Sequence, residues 1–78
     1  MLKPEDLIFI PSKEDPCRWE VRVGLTVLAD VEFRAWSVPR YKVIYYSTNK
    51  GETTLFYLDD CHRIGESLAG MVNAELIA

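Results

Sequence analysis

Between Arg40 and Leu58, two runs rich in β-branched and aromatic residues flank Asn49-Lys50-Gly51. Such a pattern predicts a β-hairpin with a three-residue loop, Gly51 holding the positive-φ position. Pairing outward from that loop sets Tyr45 opposite Leu55, Ile44 opposite Phe56 and Val43 opposite Tyr57. One face then carries Ile44, Phe56 and Leu58. The other carries Tyr41, Val43, Tyr45 and Tyr57, whose tyrosines have apolar bodies and polar tips. A half-buried hairpin needs only one apolar face, so the second must touch something.

Upstream, Trp19, Val21, Val23, Leu25 and Val27 alternate with Arg18, Glu20, Arg22, Gly24 and Thr26. Strict alternation predicts a strand over Arg18–Leu28, the first set facing the core. Ala29-Asp30-Val31 reads as a turn and Glu32–Val38 as the next strand, with Phe33 and Ala35 inward. Pro39-Arg40 reads as a two-residue turn, because proline cannot donate to a ladder. The apolar run Leu7–Ile10, stopped by Pro11, reads as a brief edge strand.

From Asp59 to Ala78 the period changes. Cys61, Ile64, Leu68, Met71, Val72 and Leu76 recur at three- and four-residue steps, the signature of an amphipathic helix. Asp59 or Asp60 caps its start. Gly65 would let it approach the sheet closely. The expected fold is α+β: an antiparallel meander of about four strands, with room for the short N-terminal strand, and one C-terminal helix on one face. The 78 residues form a single domain, divided into an arm (1–17), the meander (18–58) and the helix (59–78).

Composition narrows the function classes. Hydrophobic content of 49% exceeds that of a disordered chain. No apolar run approaches the roughly 20 residues that span a bilayer. The N-terminus carries acids and a proline, unlike a secretory signal, so a cytoplasmic protein with no membrane partner is expected. A net charge of −3 weighs against a dedicated duplex-DNA binder, although residues 18–50 hold six basic side chains against three acids.

Catalytic, cofactor and metal signals are lacking. Cys17 and Cys61 make neither a disulfide framework nor a zinc motif. Cys61-His62 near a helix start invites a nucleophile reading, but adjacent helical residues point about 100° apart. Cys61 also fits the apolar stripe as a buried structural residue, with His62 exposed. No glycine-rich phosphate loop or serine elbow occurs. The chain reads as a non-enzyme without cofactor.

With those turns, the sheet face away from the helix collects Arg34, Trp36, Tyr41, Val43, Tyr45 and Tyr57, flanked by Arg18, Glu20, Arg22, Val38 and Leu55. Lys42 falls on the opposite face, at its rim. Tryptophan, tyrosine and arginine are the side chains enriched at binding hot spots. The face therefore reads as a protein-binding surface, for a foreign protein or for self-association as a homodimer. The implied role is an accessory or inhibitory factor, of the kind a phage or mobile element carries. The alternative is single-stranded nucleic acid, with bases stacked on the aromatics and arginines on phosphates. A purely structural reading has Leu7–Ile10 folded over the same face.

Overall fold

In the computed structural model, which describes residues 1–47 and 51–77, five strands follow one another in an antiparallel meander: β1 (Ile8–Pro11), β2 (Arg18–Val23), β3 (Thr26–Phe33), β4 (Tyr41–Tyr46) and β5 (Thr53–Leu58). A 3₁₀ turn at Pro4–Asp6 precedes them and the helix α1 (His62–Ile77) follows. The α+β meander with one C-terminal helix is as expected, and the short N-terminal strand is present. It pairs with β2 as the sheet's first edge instead of folding over a face.

The first strand boundary is corrected by Gly24. Its φ of +57° turns the chain there, and Val23 pairs with Thr26 across Gly24-Leu25. Glycine at the first central position, followed by a residue without positive φ, is the type II′ hairpin pattern. Leu25 is therefore exposed at a turn. Ala29-Asp30-Val31, expected as the turn, is mid-strand. Between Val21 and Arg22 the register shifts, leaving Leu28 as the extra residue of a bulge. Leu28 and Ala29 are consequently both buried.

The second correction concerns residues 34–40. Strand β3 ends at Phe33, which pairs with Tyr41. The Arg34 N–H donates to the Arg40 carbonyl at 2.6 Å and closes a loop containing a cis Val38-Pro39 peptide. The expected strand through Val38 and the two-residue turn at Pro39-Arg40 are replaced by this loop, where Ala35, Trp36 and Val38 are exposed.

The third correction is one residue of register in the last hairpin. Val43 pairs with Phe56, Ile44 with Leu55 and Tyr45 with Thr54. The Ser47 N–H donates to the Glu52 carbonyl at 2.8 Å, so an even-numbered connection replaces the odd one. Gly51 has the expected positive φ, +66°. Asn49 and Lys50 lie outside the described residues. Since side chains alternate, the slip moves Tyr41, Val43 and Tyr45 to the helix side, with Phe56 and Leu58, and sends Lys42, Ile44 and Tyr46 to the other face.

The core accordingly joins Val21, Val31, Val43 and Tyr45 from the sheet to Ile64, Leu68 and Val72 from α1, with Leu7 at its margin. Val43 is 0% and Tyr45 2% exposed. Val23 and Phe56 are half-buried against this cluster. The helix begins at His62, later than expected. Its cap is Asp60, whose Oδ1 accepts the His62 N–H at 2.9 Å; Asp59 accepts from the Arg40 N–H instead. Gly65 makes room for Pro4 rather than for the sheet, since a Cβ there would meet the Pro4 Cβ at 3.4 Å. The N-terminal segment is also tied down by a reciprocal pair. The Leu2 N–H donates to Asn73 Oδ1, and Asn73 Nδ2 donates to the Leu2 carbonyl, each at 2.9 Å.

Candidate interaction surface

The meander order leaves two edges, β1 and β5. Their chemistry differs, and the difference follows from ladder parity. In antiparallel pairs, opposed residues alternate between those exchanging main-chain bonds and those not. Arg34–Arg40 is bonded, so Lys42, Ile44 and Tyr46 direct their main-chain groups to β3. Tyr41, Val43, Tyr45 and Ser47 direct theirs to β5, which agrees with the Ser47–Glu52 bond. On β5, Thr54, Phe56 and Leu58 are then spent on β4. The N–H and C=O groups of Thr53, Leu55 and Tyr57 face outward.

On β1 the bond from the Ser12 N–H to the Arg18 carbonyl, 2.9 Å, sets the same alternation. Ile8 and Ile10 are spent on β2, leaving Phe9 and Pro11 outward. Pro11 has no N–H, so that edge is blunted. Natural sheets protect edges with proline, charge or bulges. β5 has none of these: Thr53–Leu58 are six uncharged residues between Glu52 and Asp59.

Beside this edge, on the face away from the helix, stands a small aromatic corner. The Arg34 guanidinium carbon lies 4.7 Å from the Tyr57 ring centroid. Arg34 Nη2 is anchored on the Pro39 carbonyl at 2.7 Å, while its Nε is buried with no acceptor among the described residues. Stacking of this kind is worth about 0.5–1 kcal/mol near solvent and fixes both groups in place. Trp36 projects from the adjoining loop at 99% exposure, with Val38 at 80%; Leu55 and Tyr57 on β5 are 52% and 42% exposed.

Of the six residues expected on the binding face, Arg34 and Tyr57 are in contact and Trp36 is exposed on the next loop. Tyr41, Val43 and Tyr45 point into the helix side, and the one-residue register slip is the reason. Burial, and after it the nearby Glu75 carboxylate, pushes the Tyr45 hydroxyl pKa up to about 12. Tyr41 is also raised, by burial first and then by Cys61. The open β5 main chain was not anticipated from the sequence. Its signal was present in the uncharged run at the end of a meander.

The middle of the outer face, between Ile8 and Ile10 on β1 and Ile44 on β4, is polar and largely self-paired. Arg18 bridges Glu32 at 2.8 Å and Asp15 at 3.3 Å, Arg22 bridges Glu20 at 2.6 Å, and the Tyr46 hydroxyl donates to Asp30. That last bond, with burial second, lifts Tyr46 to about 12. A shallow cleft of about 370 Å³ runs over Glu20, Asp30, Glu32 and Lys42 between Ile10 and Ile44.

Cys61 departs from its expected burial: it is exposed and sits just before the helix, so the 100° argument does not separate it from His62. Asp60, Cys61 and His62 each bring one ligand atom to within 4.8 Å of the others, all exposed. The Asp60 carboxylate is already committed to the helix cap.

No helix among the described residues is long and apolar enough to cross a membrane. Compared with known proteins, the chain matches no family model, no curated protein and no solved structure.

Proposed function

We propose that this chain is a small, non-enzymatic protein–protein interaction module that presents the β5 edge and the Arg34–Trp36–Tyr57 corner to a protein. The observation that carries the reading is an unblunted, uncharged edge strand flanked by a fully exposed tryptophan. Strand addition draws affinity from main-chain hydrogen bonds and specificity from side chains on either face, and β5 offers both. Acting by contact alone, such a protein serves as an accessory or inhibitory factor.

A single-stranded nucleic acid finds less support here. Two of the tyrosines expected to stack bases are turned inward, and Arg18 and Arg22 are already matched with carboxylates that also line the outer face. Site-specific photo-crosslinking in cells tests the proposal. A crosslinker at Leu55 or Trp36 is expected to capture protein, and one at Glu66, exposed on α1, is expected not to. Equal capture from all three positions would contradict it.

A further inference from the structure

Resting on that reading, we infer that the protein at the β5 edge is a second copy of this chain, joined β5 to β5 across a two-fold axis at Phe56. The two meanders then form one ten-stranded antiparallel sheet with both helices on the same side.

The register follows from parity. A two-fold axis perpendicular to the sheet sets residues of the same face opposite one another, so the opposed residue numbers must sum to an even value. With Phe56 opposite the partner's Phe56, Leu55 lies opposite the partner's Tyr57 and Thr54 opposite the partner's Leu58. Leu55 and Tyr57 are the residues whose main-chain groups face outward, so both symmetry-related pairs exchange two N–H···O bonds. Phe56 then falls in the non-hydrogen-bonded pair, where Cα atoms approach to about 4.5 Å and aromatic side chains meet. Shifting one step either way places Leu58 opposite Glu52 or Leu55 opposite Asp59. Of the three, only the Phe56-centred register sets no apolar side chain of β5 opposite an acid; it places Thr53 opposite the partner's Asp59.

Three observations favour a copy of this chain over a foreign strand. Thr53–Leu58 has no charge to repel itself and none to select a different partner. Phe56 and Leu58 are only half-buried on the helix side, and a second Phe56 completes their cover. A 78-residue domain also gains stability by oligomerising. The opposite edge is shorter and lacks one outward donor, because Pro11 has no N–H and leaves only that of Phe9 within β1.

Light scattering across a concentration series tests this directly, with melting curves confirming that each variant folds. Wild type is expected at twice the monomer mass. Leu55→Lys and Leu55→Pro, both on the exposed edge, are expected to raise the dissociation constant at least tenfold; Ile8→Lys on β1 is expected to leave it unchanged. In a background with Cys17 and Cys61 changed to serine, Phe56→Cys is expected to oxidise to a covalent dimer and Thr54→Cys not. A wild type that is monomeric at all concentrations overturns the inference. If Leu55 still crosslinks a foreign protein in cells, the module reading survives that failure; if it captures nothing, both fail. A dimer indifferent to Leu55→Lys but lost with Ile8→Lys overturns the inference as well.

Discussion

The Ser47 N–H donates to the Glu52 carbonyl over 2.8 Å, and this bond is the last rung of the ladder that carries Tyr45. Counting inward from it, Tyr45 meets Thr54 and its ring enters the space under α1. The same count leaves the main chains of Leu55 and Tyr57 facing solvent. Core placement and edge chemistry are thus one consequence of a single register.

Serine substitutions at neighbouring positions separate this register from its alternative. Tyr45→Ser removes a buried aromatic and is expected to cost about 3–5 kcal/mol. Ile44→Ser, on the outer face, is expected to cost about 1 kcal/mol or less. Urea melts of the two variants read the difference directly, and a reversed order would mean that Ile44 is the core residue.

Trp36 separates binding from stability. At 99% exposure it contributes little to the fold, so Trp36→Ala is expected to change stability by no more than about 0.5 kcal/mol. As an anchor beside the edge it is expected to weaken association by about 2 kcal/mol or more. A thermal melt and a binding isotherm on the same sample suffice. Tyr45, by contrast, cannot serve as a surface probe, because it is buried and its loss destabilises the domain.

Alkaline pH is a further handle. Tyr45 and Tyr46 are raised to about 12 in the folded chain, against about 10 unfolded. Between those values the unfolded chain has lost protons that the native chain retains, so stability falls as pH rises. The contribution is complete below about pH 10 and disappears as pH rises through about 12. Urea midpoints are expected to fall across that window, and the fall is expected to be shallower in Tyr45→Phe.

The helix start depends on Asp60, whose carboxylate accepts the His62 N–H. Asp60→Ala is expected to cost about 0.5–2 kcal/mol, and Asp60→Asn to recover most of it. Asp59→Ala is expected to spare the helix and loosen the 34–40 loop through Arg40. Circular dichroism melts distinguish the two.

The periodicities explain which parts of this architecture were legible beforehand. Ile64, Leu68 and Val72 announce the helix and its buried stripe, and the alternation from Trp19 to Val23 places β2 correctly. What alternation could not show was where it stops. Gly24 ends the strand by its positive φ, yet Leu25 and Val27 continue the same apolar pattern beyond it. The bulge at Leu28 then breaks the alternation. Both faces of the Tyr41–Tyr46 run are apolar, so patterning gave no preference between registers, and the connection alone decided. Arg34, Trp36 and Tyr57 were identifiable as exposed binding residue types, whereas the open main chain of β5 depends on ladder parity.

Amide hydrogen exchange at two protein concentrations reads the β5 edge residue by residue. Thr54, Phe56 and Leu58 are bonded to β4 and are expected to be protected at both concentrations. Leu55 and Tyr57 are expected to exchange freely in dilute solution and to gain protection as concentration rises and the edge is covered. Unchanged fast exchange at Leu55 and Tyr57 at every concentration, with Trp36 equally unperturbed, would contradict the pairing of the β5 edge with a second copy of this chain.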